Sequence, residues 1–250
     1  MGLVTTLGLG MTALQFGIGA VNDLVDVSHD ARSKPGKPIP SGLVDPAGAR
    51  VVAAASFAVG LLLSALAGPP TLLIAILVAG IGLAYDLVLK GTRWSWVGFA
   101  VGIPLLPVYA WLGATGSLPL AFAVLVPAAV ATGAGLALAN GLADVERDRM
   151  AGVDSVVGSL GAARAVTASR LLQTGVAIAA VVSLAALGGL DSLGPDIALV
   201  VAGIAGVQVG IALTADPSAD RRERGWELQA LGVGALAVGW AASLLEAGVL

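Results

Sequence analysis

The stretch Asn22-Asp23-Leu24-Val25-Asp26-Val27-Ser28-His29-Asp30 closes an apolar run that begins near residue 3. The pattern returns as Asn140-Gly141-Leu142-Ala143-Asp144-Val145-Glu146-Arg147-Asp148, again at the end of an apolar run. Both copies read N-x-L-x-D-V-x-x-D, so Asn, Asp and Asp recur every four residues. On a helix this spacing keeps three side chains on one face, about 6 Å apart in rise and turned about 40° per step. Asn22, Asp26 and Asp30 form one stripe of oxygen ligands, with Asp30 near or just past the helix end. Asn140, Asp144 and Asp148 form the other. Carboxylates beside apolar surroundings are costly unless a cation compensates them.

The rest of the chain explains why those surroundings are apolar. Of 250 residues, 57% are hydrophobic and 12% charged, where a soluble domain carries about 25% charged residues. Mean hydropathy is +0.94. Eight apolar segments follow, near 3–24, 50–67, 71–89, 95–113, 119–143, 164–188, 196–214 and 227–249. At about 20 residues per span, these predict a single transmembrane domain over 1–250: an all-α polytopic bundle of about eight spans around a central cavity. The 35 glycines suit close helix approach in a bilayer, and Pro104 and Pro107 suggest a kink in the fourth span. The N-terminus lacks the basic region of a cleavable signal.

Charge sets the expected orientation. All 13 Lys and Arg fall at the odd-numbered loops: Arg32, Lys34, Lys37 and Arg50; Lys90 and Arg93; Arg147, Arg149, Arg164 and Arg170; Arg221, Arg222 and Arg224. The even loops (68–70, 114–118 and 189–195) hold none. Odd loops therefore face the cytoplasm, both termini lie outside, and both stripes lie on the cytoplasmic side.

Cysteine is absent and His29 stands alone, which excludes disulfides and thiolate or multi-histidine metal sites. Oxygen ligands point to a hard cation such as Mg²⁺. If the two stripes face each other, four carboxylates and two amides would hold two Mg²⁺ ions, with a diphosphate as shared ligand. Lys37 and Lys90, each beside Gly or Pro in a short loop, are the best candidates for anion contacts. Arg32 follows the first stripe, Arg93 stands in the third loop, and Arg147 is interleaved with the second stripe. Arg50, Arg164, Arg170 and the run Arg221–Arg224 read as ordinary positive-inside charges. The bland alternative is that the stripes are solvated helix ends; two copies in one register on one side argue against it. Asp23, His29 and Glu146 are the possible general bases. Trp94, Trp96, Phe99, Tyr109 and Trp111 suit either a cavity wall or, more commonly, an interfacial belt and bundle packing. No nucleic-acid partner is expected.

These residues resemble the UbiA superfamily of intramembrane prenyltransferases. N-D-x-x-D-x-x-x-D at Asn22–Asp30, followed by K-P-I-P-S-G at Lys37–Gly42, is similar to its first signature. D-x-x-x-D at Asp144–Asp148, followed by A-G-V, is similar to its second. Tyr85-Asp86-Leu87-Val88-Leu89-Lys90-Gly91 looks like its Tyr/Lys loop. The P-I-P-S-G stretch is similar to the branch of chlorophyll synthases and archaeal digeranylgeranylglyceryl phosphate synthases. The resemblance implies Mg²⁺-dependent transfer of an isoprenyl group from a prenyl diphosphate to a small aromatic or polar-lipid acceptor, releasing pyrophosphate inside the membrane. It implies two Mg²⁺ ions at Asn22, Asp26, Asp30, Asn140, Asp144 and Asp148. It also implies Lys37, Lys90, Arg32, Arg93, Arg147 and Tyr85 around the donor.

Three departures stand out. The family commonly has nine spans, one of them before the first motif, and that leading helix is missing here or the start is truncated. Tyr85 and Lys90 are one residue further apart than the usual Y-x-x-x-K, which puts Tyr85's role in question. Asp154–Gly161 lacks the proline often found after the second motif. A membrane terpene cyclase would share the metal site. A CDP-alcohol phosphotransferase would need D-G-x-x-A-R, whereas Val27 follows Asp26. A repeat-built transporter would carry its carboxylates near the bilayer midplane, not at span ends.

Overall fold

The computed structural model describes residues 2–187 and 194–250, apart from the side chains of His29 and Ser33. The sixth loop, 189–195, therefore lies largely outside the described residues. All regular structure among those residues is helical: α1 Leu3–Val25, α2 Val27–Ser33, α3 Pro46–Leu66, α4 Pro69–Ala84 with a π-helical turn Tyr85–Leu89, α5 Ser95–Thr115, α6 Phe122–Ala151, α7 Val156–Leu160, α8 Ala162–Ala186, α9 Pro195–Thr214 and α10 Ala219–Glu246. Eight of them are long and apolar enough to cross a membrane, in agreement with the eight apolar segments.

Two ends differ from the hydropathy boundaries. The fifth segment was expected to stop near 143, yet α6 continues to Ala151. The last was expected to start near 227, yet α10 begins at Ala219. Hydropathy reports where lipid ends, whereas a helix ends where its last carbonyls find partners. For α6 that point is Gly152, whose left-handed backbone (φ 66°) lets its N–H reach the carbonyl oxygens of Arg149 and Asp148. For α3 the start is set by Asp45, whose side chain accepts from the N–H groups of Ala47 and Gly48 at 2.8 and 2.9 Å, with Pro46 at the first helical position.

Contacts divide the chain into two units. The first is 1–90 with 105–118 and the second is 91–104 with 119–250. α5 runs unbroken through Pro104 and Pro107, and the division falls beside Pro104.

In the first unit α1 packs on α3 and α4. Leu14 is fully buried and fills the space left by Gly60, where a Cβ would stand 2.7 Å from its side chain. Leu7, Ala75, Val78 and Tyr109 complete this core. Tyr109 Oη and Ser64 Oγ share a hydrogen bond of 2.9 Å, and Ser64 Oγ donates to the Gly60 carbonyl at 2.7 Å. Of the aromatic cluster, Tyr109 is therefore packing, and Trp94 is 53% exposed.

In the second unit α9 and α10 approach backbone to backbone. A Cβ on Gly203 would meet the Gly232 carbonyl oxygen at 2.7 Å, and one on Gly232 the Val207 nitrogen at 2.7 Å. Gly210 and Gly225 oppose each other in the same way, at 2.6 and 2.8 Å from the other's carbonyl. Small residues allow this close fit, where dispersion replaces the hydrophobic drive that lipid cannot supply. Val176, Leu184, Val200, Leu236 and Trp240 fill the core beside the seam, and Trp240 Nε1 donates to Ser183 Oγ at 2.9 Å.

Gly232→Ala should therefore cost about 1–3 kcal/mol through overpacking, read as a lower thermal midpoint of the detergent-solubilised protein. Gly234→Ala, where a Cβ meets nothing within 4 Å, should hold the midpoint or raise it slightly, since alanine is the better helix former.

Candidate functional site

The first stripe crosses a break in the chain without losing register. α1 ends at Val25 and α2 begins at Val27, and Asp26 between them keeps a near-helical backbone (φ −84°, ψ −1°). The Asp26 N–H donates to the Asn22 carbonyl at 3.0 Å, the Asp30 N–H to the Asp26 carbonyl at 2.8 Å, and the Lys34 N–H to the Asp30 carbonyl at 2.7 Å. This relay keeps Asn22, Asp26 and Asp30 four residues apart on one side, as expected from the spacing.

Two lysines neutralise the stripe. Lys90 Nζ donates to Asn22 Oδ1 at 2.6 Å and forms a short ion pair with Asp26 Oδ2. Lys37 Nζ donates to Asp23 Oδ1 at 2.8 Å and to Asp30 Oδ2 at 2.7 Å. Asp30 is buried, so the pair with Lys37 supplies the compensation that burial demands. Both lysines were expected to face anions. The structure sets them on the stripe itself, with Asp23 as an additional partner.

Local chemistry explains how each lysine arrives. Pro-rich turns fold the 34–45 loop back on itself: the Lys37 N–H reaches the Lys34 carbonyl, the Ser41 N–H the Lys37 carbonyl, and the Val44 N–H the Pro38 carbonyl, all at 2.9–3.0 Å. Lys90 follows the π-turn, in which its N–H donates to the Tyr85 carbonyl five residues back at 2.8 Å. The one extra residue between Tyr85 and Lys90 is absorbed there, since a π-turn takes one more residue than an α-turn. Asp86 on this turn is buried, and its Oδ2 has no hydrogen-bond partner among the described residues.

The second stripe lies on one continuous helix, because α6 runs two turns further than its apolar run. Asn140, Asp144 and Asp148 are half-buried. Arg147 pairs closely with Asp144 one turn away. Beside Asp148 and Arg149 a cavity of about 570 Å³ is lined by Asp154, Ser155 and the glycines at 152, 158 and 161. Ser155 caps α7, accepting from the Gly158 N–H at 3.2 Å.

Arg32 is exposed on α2, and the Arg93 guanidinium lies 5.8 Å from the Trp94 ring centroid. Of the possible bases, Asp23 is tied to Lys37 and Glu146 to Arg222; the His29 side chain lies outside the described residues. Arg222, read among the ordinary positive-inside charges, is buried. Its place in a charged run gave no sign of this, because the residues that bury it are 76 and 80 positions away.

The donor set suits Mg²⁺. Among the described residues no three acidic or imidazole groups converge as they stand. The oxygens come instead in sets around a lysine ammonium, and Mg²⁺ takes one or two carboxylates plus phosphate and water oxygens. From Asn22 and Asp23 a groove of about 770 Å³ runs along α1 past Gly19, Phe16, Gln15 and Met11 to Gly8. Fourteen residues at the helical rise give it a length of about 21 Å.

The family model for the UbiA prenyltransferase family matches residues 1–231. A digeranylgeranylglyceryl phosphate synthase of Methanopyrus kandleri is 41% identical over 76 residues, which is 30% of this chain and 28% of that protein. The apo structure of a UbiA homolog from Aeropyrum pernix superposes with a TM-score of 0.73 at 20% identity, covering 98% of this chain and 90% of that one. A UbiA homolog from Archaeoglobus fulgidus bound to GPP and Mg²⁺ gives 0.67 at 19% identity, covering 96% and 87%.

Desolvation is the largest influence on Lys37 and works to lower its pKa, but the hydrogen bonds and charges of Asp23 and Asp30 together raise it above the ordinary 10.5. A raised folded value means the contribution to stability is complete below 10.5 and is lost as pH climbs through the higher folded value. Lys37→Met should therefore lower the thermal midpoint by the equivalent of about 1–3 kcal/mol at neutral pH. The gap from wild type should hold up to the ordinary lysine value and close above it.

Proposed function

Because the chain belongs to the UbiA prenyltransferase family, we propose that it transfers an isoprenyl group from a prenyl diphosphate to a small acceptor within the membrane, releasing pyrophosphate. The observation that carries this reading is the first stripe, where Asn22, Asp23, Asp26 and Asp30 gather their oxygens around two ammonium groups. Carboxylate and amide oxygens are the ligand type that a hard divalent cation takes. Asp26, Asp30, Asp144 and Asp148, with Asn22 and Asn140, are the proposed ligands, for two Mg²⁺ ions. Bound Mg²⁺ would act as a Lewis acid on the diphosphate and offset charge on the departing pyrophosphate.

The chain's own residues do the rest. As the donor enters, Lys37 and Lys90 turn from carboxylate to phosphate oxygens, so positive charge stays where the leaving group develops negative charge. The π-turn at Tyr85 holds Lys90 at the mouth of the site. Arg32, Arg93 and Arg147 add further positive charge on the same side. The bond between the allylic carbon and the diphosphate breaks with its electron pair leaving on pyrophosphate. A lone pair of the acceptor then forms the new bond and the acceptor loses its proton. The groove along α1 suits the apolar tail. The acceptor is a small aromatic or polar-lipid nucleophile, and the likeness to a digeranylgeranylglyceryl phosphate synthase supports the polar-lipid class.

The site faces the cytoplasm and both termini lie outside, in keeping with the confinement of Lys and Arg to odd loops. A reporter fused to the C-terminus should read as external; a cytoplasmic signal would refute the orientation. Asp26→Ala and Asp144→Ala should each cut Mg²⁺-dependent pyrophosphate release by about 10²–10³-fold or more while leaving membrane insertion intact. Full activity in either variant would overturn the proposed ligand set.

A further inference from the structure

The geometry points to Arg222 as a positioning residue that fixes the rotation of the second stripe; this rests on the prenyl-transfer reading above. Arg222 stands near the start of α10 and is only 6% exposed. Its Nε donates to the Leu142 carbonyl at 2.8 Å. Nη1 donates to the carbonyls of Asp216 and Pro217 at 3.1 and 2.6 Å, and Nη2 makes a short ion pair with Glu146. One guanidinium thus joins the α9–α10 turn to α6, inside the repeated motif.

Leu142 and Glu146 are one turn apart and share a face of α6. Asp144 is two residues from each, so it lies about 200° round the helix. Asn140 and Asp148 flank Asp144 at four-residue steps and share its face. Arg222 therefore grips the back of the motif and leaves its ligand face uncovered. It competes for none of the stripe's oxygens. Its partners come from two directions, a carbonyl in the helix and a carboxylate one turn on, which sets the angle of the helix and not merely its position. Lysine cannot reproduce this. It offers a single point of charge, whereas the guanidinium is a planar fork with five donors. The grip also explains how α6 stays helical past the end of its apolar run, where packing against Val156 and Val157 is the other support.

Outer residues that orient metal ligands typically change metal affinity by 10–100-fold when lost. The test uses the full chain in detergent or nanodiscs, with geranyl diphosphate as donor and Mg²⁺ titrated. In Arg222→Lys and Arg222→Met the Mg²⁺ concentration for half-maximal pyrophosphate release should rise at least about tenfold, with kcat at saturating Mg²⁺ largely retained. Glu146→Gln keeps an acceptor for Nη2 and should shift it less. Without donor or metal, amide hydrogen exchange should quicken over residues 143–150 in both Arg222 variants and stay unchanged in α9. Unchanged Mg²⁺ dependence with unchanged exchange overturns the assignment. So does a uniform fall in kcat with the same Mg²⁺ dependence, which is the mark of a merely structural role. If Arg222→Met does not fold, Arg222→Lys and Glu146→Gln carry the measurement. If the wild type releases no pyrophosphate at any Mg²⁺ concentration, the reaction reading fails, while the exchange arm still decides the clamp.

Discussion

Each aspartate stripe depends on neutralising carboxylates near the end of a helix long and apolar enough to cross a membrane. An ionised carboxylate taken from water into a weakly polar setting loses several kcal/mol of hydration. The chain meets that cost with cations: Lys90 for Asp26, Lys37 for Asp23 and Asp30, Arg147 for Asp144; at Arg222 the buried group is the guanidinium, and the exposed Glu146 compensates it. Lys37 and Lys90 come from loops and Arg222 from a helix start, so balancing charge also ties those segments to the motif helices, whereas Arg147 pairs within α6. The two lysine pairs suit exchange, because an ammonium is a compact charge on a flexible four-carbon stem, whereas a guanidinium is a rigid fork.

Such exchange needs a rigid frame. In the second unit, the glycine seam of α9 and α10 supplies one by bringing two backbones into contact. That leaves the start of α10 no freedom to drift, and so gives Arg222 a firm base. In the first unit Leu14 against Gly60 does the equivalent for α1, whose last turn carries Asn22 and Asp23. Packing in the apolar interior and charge at the helix ends are thus parts of one design: the first fixes the backbone from which the second is presented.

Much of this was legible in the residues alone. The eight spans could be read because apolar runs and lysine-arginine loops alternate, and both stripes because four-residue spacing survives in any helix. Other features were not, for identifiable reasons. Hydropathy stops at the lipid boundary, so it missed the last two turns of α6 and the first two of α10. A single inserted residue before Lys90 looks like a lost register until a π-turn absorbs it. Lys37 and Lys90 were read as facing an anion; the structure pairs them with the stripe's own carboxylates and Asp23. Arg222 is one arginine among three in a charged run, and only tertiary contact separates it from Arg221 and Arg224.

The second position of the repeat shows what happened to its two halves. In the first copy it is Asp23, which binds Lys37. In the second it is Gly141, where a Cβ would stand 2.8 Å from Val157. One copy uses the position for charge and the other for contact with α7. If the copies descend from a single duplicated segment, they have specialised: neither can now stand in for the other. Exchanging the two nine-residue stretches would bring an aspartate against a buried valine at one end and leave Lys37 short of a partner at the other, so the sequence repeat is not a functional equivalence.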